Sequence, residues 1–169
     1  MIKQAFLGEF QHEAENTRKL LSMIPDSSLG YRPQPHLWSV GELASHIVEV
    51  YNWYDVTFNC DVFEMNAYQY DKGDISKVAN ILKKFEENVK AAQAAIEKSD
   101  ESQYMNIWTM TMNGESNFPP MPKVQVIRGF LYNHLYHHRG ELISHLRVLG
   151  NKVPSLYGPN YEESQQIPG

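Results

Sequence analysis

Tyr132-Asn133-His134-Leu135-Tyr136-His137-His138-Arg139-Gly140-Glu141 is the stretch on which the reading of this chain turns. On an α-helix a four-residue step turns the chain by about 400° and advances it about 6 Å, so His134 and His138 project from one face. The surrounding apolar residues agree: Ile127, Phe130, Leu131, Leu142, Leu146 and Leu149 mark the buried side of a helix predicted over about residues 123–149. Gly150 is placed as its C-terminal cap, and Pro154 follows. Glu141 and His145 fall on the same stripe as the histidine pair, which therefore faces the interior. His137 points away from that stripe.

Working outward, three more stretches carry helical periodicity and none reads as a strand. Residues 3–23 place Phe6, Phe10, Thr17, Leu20 and Leu21 on one face, and Pro25 ends the run. Ser39-Val40-Gly41-Glu42 is a capping box, with Trp38 and Leu43 at the spacing of a hydrophobic staple. The helix it starts runs through Leu43, His46, Ile47, Val50, Trp53 and Tyr54 toward Phe58, with His46 on the apolar stripe. A third helix, capped near Asp74, carries the regular stripe Val78, Ile81, Leu82, Phe85, Val89, Ala92 and Ile96. Periodicity fails over residues 99–122, where Asn113-Gly114 marks a turn with room for a short hairpin and Pro119, Pro120 and Pro122 bar a helix interior. A segment of that length reads as a functional cover, with Trp108, Met110 and Met112 either roofing a pocket or simply covering the helices. The expected fold is all-α: a four-helix bundle with a long connection between helices 3 and 4, forming one domain over residues 1–169 with a tail from about residue 151.

Composition narrows the function. The 169 residues carry a net charge of -5 and no basic stripe, which argues against direct nucleic-acid binding. The hydrophobic content of 42% and charged content of 21% are those of an ordinary globular protein. One cysteine, Cys60, excludes a disulfide framework and a cysteine-rich zinc site. The first residues lack a signal pattern and no apolar run approaches the ~20 residues of a membrane span, so a cytoplasmic protein without membrane contact is expected.

The chemistry sits in the histidines. Two neutral imidazoles one turn apart can share a divalent ion, and His46 on a separate apolar stripe can supply a third ligand. The residues alone leave that reading level with a histidine-containing polar core. The glutamate of a HExxH protease motif is absent from the pair. A di-iron carboxylate site would need two Glu-x-x-His pairs, and only Glu9-Phe10-Gln11-His12 is found. Arg139 reads as a salt-bridge residue, with anion binding the lesser alternative.

These residues resemble the DinB/YfiT-like superfamily, the damage-inducible DinB proteins and their thiol-dependent transferase relatives. Three blocks carry the resemblance: residues 24–33 leading into 38–46, residues 133–141 closing with 146–150, and the tail 153–159. The resemblance implies an up-down-down-up bundle, often dimeric, with a divalent metal held at one end by His46, His134 and His138. It also implies transfer or isomerisation chemistry using a low-molecular-weight thiol such as bacillithiol, mycothiol or glutathione, acting on a small electrophile. A metal-dependent hydrolase is the neighbouring enzymatic expectation, and a non-catalytic metal-binding protein of a stress or damage response is the alternative. Imidazole suits zinc, nickel, copper and iron, with zinc or nickel expected. A glutamine commonly follows the Arg-Gly pair in these proteins, whereas Glu141 stands there here; Glu141 and His137 are the candidates for proton transfer or ligand orientation.

Overall fold

A computed structural model of the chain describes residues 1–116 and 118–166. Its helices are α1 (Ile2–Ser22), α2 (Val40–Val50), α3 (Trp53–Asn59), α4 (Val78–Lys98), α5 (Lys123–Val126), α6 (His134–Val148) and α7 (Tyr161–Ser164). The strands are β1 (Val62–Glu64), β2 (Ile107–Met112), β3 (Glu115–Ser116) and β4 (Met121–Pro122). The fold is mostly helical, with α1 packed on α4, α2 on α6 and α3 on α4. Phe10, Leu20, Leu21, Leu43, Ile47, Phe85, Ile96, Leu131, Leu142 and Leu146 lie in the shared core. No helix among the described residues is long and apolar enough to cross a membrane.

The all-α expectation needs correction. A small mixed sheet joins the segment after α3 to the connection before α5: β2 pairs in parallel with β1 and antiparallel with both β3 and β4. The Asn113-Gly114 turn does close a hairpin, with Thr111 opposite Ser116 and both turn residues at positive φ, 54° and 79°. The remaining strands are two or three residues long, too short for alternation to register. Trp108 is fully buried, packed at tilted or edge-on angles against Phe63, Phe118 and Phe130, with its indole N–H donating to the Val56 carbonyl at 3.2 Å. It belongs to the core, so the reading in which this segment simply covers the helices is the one its position fits.

Three helix boundaries also differ from expectation. The helix through His46 breaks at Tyr51-Asn52, where backbone bonds tighten to three-residue spacing: the Asn52 N–H donates to the Glu49 carbonyl at 2.8 Å. α4 starts at Val78, after Lys77, and not at Asp74. Its first N–H is capped from a distance by the Asp26 carboxylate at 2.8 Å, while Asp74 accepts from Ser76 and Asn80. The long helix after Pro122 contains a π-helical segment, Ile127–Asn133, immediately before His134. Such widened turns re-aim the side chains that follow them and recur at functional sites. The end of α6 is closed as expected: Gly150, at φ 73°, donates to the Arg147 carbonyl, and the Asn151 N–H donates to that of Leu146, both at 2.9 Å.

Candidate metal centre

The start of α2 is fixed from several sides. The Glu42 N–H donates to Ser39 Oγ at 3.2 Å and the Ser39 N–H to Glu42 Oε2 at 2.9 Å, completing the capping box. The Ser39 amide, Arg32 and Lys72 together hold the Glu42 carboxyl down at about 2. The Gly41 N–H donates to the Leu29 carbonyl at 2.9 Å, and a Cβ on Gly41 would come within 3.2 Å of that oxygen. With its start pinned, α2 presents His46 directly to α6.

There the three imidazoles converge. His46 Nε2 lies 3.2 Å from His134 Nε2, and His134 Nε2 lies 2.8 Å from His138 Nε2. The three ligand atoms all fall within 4.8 Å of one another, a spacing that can hold one metal ion. Their opposite nitrogens are engaged. His46 Nδ1 is 2.8 Å from Glu49 Oε2, and His138 Nδ1 is 2.6 Å from Glu141 Oε2. An ionised carboxylate only accepts, so both Nδ1 atoms carry protons and both Nε2 atoms present lone pairs. Carboxylate-oriented imidazoles of this kind are the usual support of metal-binding histidines. A polar core without an ion would leave lone pairs facing one another at short range, so the donor set fits a cation.

Electrostatics point the same way. Burial pushes His134 down to about 4, reinforced by His138 and His46 and opposed by a hydrogen bond to the backbone of Phe130. His138 is also lowered, by burial first, with Glu141 acting against it. Neutral imidazoles are the form a metal requires. Aromatic rings wall the cluster: Trp38 lies 4.7 Å from His46, Trp53 lies 5.3 Å from His134, and Phe130 stacks on Trp53 at 4.8 Å. A cavity of about 470 Å³ opens beside His46, lined by Trp38, Glu42, Glu49, Trp53, Met65, Tyr68, Tyr70 and Lys72.

The other singled-out residues fall elsewhere. His137 is exposed, 3.6 Å from Glu141 on the outer side of the cluster. His145 is not one of the three converging rings; it lies beside Tyr31 and helps line a second hollow of about 280 Å³ with His36, Leu37, His138 and Glu141. His12 bonds to Asn16, Glu9 pairs with Arg128 and Tyr136, and Cys60 is exposed. Arg139 is buried in an ion pair with Glu13, as its salt-bridge reading anticipates. Met110 is half-buried and Met112 exposed, and neither lines the cavity beside His46. That wall comes instead from residues 65–72, which periodicity left unread.

Glu49 was overlooked in the sequence, although a signal is present. His46-Ile47-Val48-Glu49 and His138-Arg139-Gly140-Glu141 share the His-x-x-Glu spacing, which sets a carboxylate one turn after a histidine on the same face. The repetition on two facing helices marks a paired support. Trp38 carries a second role beside its staple position, since it covers both His46 and His138, at 4.7 and 5.7 Å.

This is a mostly helical protein whose facing helices bring three histidine Nε2 atoms together in a cluster that could hold a metal ion. The chain belongs to the DinB family, whose profile matches residues 1–169. It is 30% identical over 162 residues to the uncharacterized protein YrdA of Bacillus subtilis, covering 94% of this chain and 89% of that one. Among solved structures it is similar to a DinB-like protein of Bacillus cereus, with a TM-score of 0.69 at 23% identity, covering 91% of this chain and 97% of the other. It is also similar to YfiT of Bacillus subtilis, with a TM-score of 0.62 at 14% identity, covering 88% of this chain and 87% of that protein. YfiT is described as a probable metal-dependent hydrolase with an unusual four-helix bundle topology.

Proposed function

We propose that this protein is a divalent-metal-dependent enzyme acting on a small molecule, with transfer of a low-molecular-weight thiol to an electrophile as its reaction. The observation that carries this reading is the convergence of three Nε2 lone pairs beside a cavity large enough for a small ligand. His46, His134 and His138 are the ligands, and zinc or nickel is the expected ion. When bound, such an ion supplies Lewis acidity that brings the pKa of water or a thiol toward neutrality. Three protein ligands are the number found in catalytic sites; a structural ion normally takes four.

The chain's own groups then have separable tasks. Glu49 and Glu141 hold the His46 and His138 rings in one tautomer and one orientation. Trp38, Trp53 and Phe130 exclude water from the apolar side. Glu141 is the carboxylate nearest the exposed edge, where it can pass a proton outward through His137, 3.6 Å away. Hydrolysis, with water in place of the thiol, is the second reading, and the similarity to YfiT favours it. The four long helical stretches are read as a bundle like the one described for YfiT. The protein is taken to act as a cytoplasmic homodimer.

Elemental analysis of the purified protein beside His134→Ala tests the site. Near-stoichiometric metal in the first and background metal in the second is the expected result; equal content in both ends the reading. A screen of bacillithiol, mycothiol and glutathione against halogenated electrophiles then separates thiol transfer from hydrolysis. Turnover that ignores the thiol would favour hydrolysis.

A further inference from the structure

Beside His46, the cavity wall carries one cation, Lys72, among two carboxylates, Glu42 and Glu49. Glu49 is directed at His46 Nδ1, so its charge belongs with the ion the triad would hold. Asp71, next to the lysine in sequence, pairs with Lys84 at 2.7 Å. Glu42 is shared by two cations. Its Oε2 lies 2.7 Å from Arg32 Nη1 and accepts the Ser39 N–H at 2.9 Å, while its Oε1 accepts from Lys72 Nζ at 3.1 Å. Arg32 alone balances Glu42, so this corner of the cavity holds one positive charge in surplus. An ammonium has three N–H donors, and among the described residues Lys72 Nζ donates only to Glu42. The lysine side chain is 44% exposed, which leaves its other donors within reach of a ligand. Its backbone is fixed: Ser45 Oγ donates to the Lys72 carbonyl at 2.7 Å, so at 3.0 Å it accepts from the Tyr70 hydroxyl. Glu42 precedes His46 by one turn, about 6 Å along α2, so the ammonium meets α2 one turn before the triad.

We propose that this cavity takes a small molecule with an apolar body and one carboxylate, and that Lys72 is the residue that receives the carboxylate. This deepens the enzymatic reading above, on which it rests for the role of the ligand as substrate, its other end facing the triad. The faces of Trp38, Trp53 and Met65 suit an apolar body, and a cavity of about 470 Å³ is of small-ligand size. Lys72 can turn to a ligand without stranding Glu42, which keeps the Ser39 amide and Arg32. One surplus charge matches a monoanion. A dianion would bring a second negative charge, unmatched, toward Glu42 and Glu49.

Calorimetric titration of the full-length protein at pH 7 tests this with three probes that share one chain and one thiol and differ only at the far end: mercaptohexanoate, mercaptohexanol and mercaptohexylamine. The series is run on chelator-treated protein, where no ion can capture the carboxylate, and repeated after zinc loading. Mercaptohexanoate is expected to bind most tightly in both. Lys72→Met, which keeps an unbranched apolar stem and removes the charge, should weaken mercaptohexanoate about 3- to 10-fold while leaving mercaptohexanol unchanged. Lys72→Arg, which restores the charge, should restore the preference. Mercaptohexanoate binding no tighter than mercaptohexanol, mercaptohexylamine binding most tightly, or a Lys72→Met variant that binds mercaptohexanoate like the parent would each overturn the proposal. Metal content is measured on the same samples. A carboxylate preference that Lys72→Met abolishes, in a chain that holds no zinc, supports this inference and refutes the metal reading; a chain that holds zinc but binds all three probes alike does the reverse.

Discussion

His138 and Arg139 are consecutive on α6, both are buried, and they anchor opposite kinds of polar cluster. Arg139 faces α1, where its guanidinium donates to the Glu13 carboxylate and carbonyl, Thr17 Oγ1 and the Tyr157 hydroxyl. Tyr157 in turn donates to Glu13 at 2.7 Å, and the Tyr51 hydroxyl donates to Thr17 at 2.9 Å. Charge meets charge, and both partners keep their further contacts inside the fold. His138 lies on the side of α6 toward α2, with one nitrogen engaged by Glu141 and the other directed at the His134 imidazole, both on its own helix. The first cluster balances its charges within the protein, although Arg139 Nε itself meets no partner among the described residues. The second brings three imidazole nitrogens together at a spacing that could hold a metal ion, which is the difference between an internal ion pair and a candidate site.

The triad should give the largest effect. His46→Ala, His134→Ala and His138→Ala should each lower bound metal to background in elemental analysis while the metal-free chain keeps a cooperative unfolding transition. His12→Ala should retain full metal content, because its ring lies outside the cluster and bonds to Asn16. Arg139→Ala should behave in the opposite way. Glu13 is 4% exposed, and removing its partner strands a buried carboxylate, which costs about 3–5 kcal/mol. Urea unfolding should show that loss, while the folded fraction still binds metal. A triad variant that unfolds, or an Arg139 variant that loses metal without losing stability, would collapse the distinction.

Removing a supporting carboxylate should have an intermediate effect. Glu49→Gln and Glu141→Gln leave all three ligands in place but weaken the hold on the His46 and His138 rings. Metal affinity, measured by competition with a chromogenic chelator, should fall about 10- to 100-fold. Acid should act at the same place. His134 titrates at about 4 in the folded protein and near 6.5 when unfolded, so between those values the unfolded chain binds more protons. Stability of the metal-free protein should therefore fall as pH drops from about 6.5 toward 4, with His138 adding to the same direction. His134→Ala should flatten that slope in denaturation curves taken across the window. A slope unchanged by the substitution would contradict the burial of a neutral ring.

Much of this contrast was legible before any coordinates. The i,i+4 spacing of His134 and His138, the apolar stripe carrying His46 and the capping box at Ser39 are local patterns, and local patterns survive folding. Beyond the hairpin turn at Asn113-Gly114, the sheet was not legible, because β1, β3 and β4 are only two or three residues long, pair through backbone groups and leave no period in the side chains. Asp26 capping α4 across 52 residues is likewise a tertiary choice that no window around Asp74 contains. The cavity wall at Met65, Tyr68, Tyr70 and Lys72 comes from a stretch with a single 3-10 turn and no amphipathic signal. Glu49 is the different case, since its spacing from His46 repeats that of Glu141 from His138 and only the comparison of the two helices was needed.

The smallest effect expected is at Tyr157, where the C-terminal tail joins the closed cluster. Its ring is largely exposed, yet its hydroxyl accepts from Arg139 and donates to Glu13. Tyr157→Phe removes only that hydroxyl. Glu13 and Arg139 retain each other, so the charge balance survives and the loss should be about 0.5–1.5 kcal/mol, that of one hydrogen-bonding group. Hydrogen exchange should rise in residues 153–160, which Tyr157 ties to α6, and metal content should not change. Protection lost at His46 or His134 would instead mean that the tail supports the open cluster as well, and that the two sides of α6 are not independent.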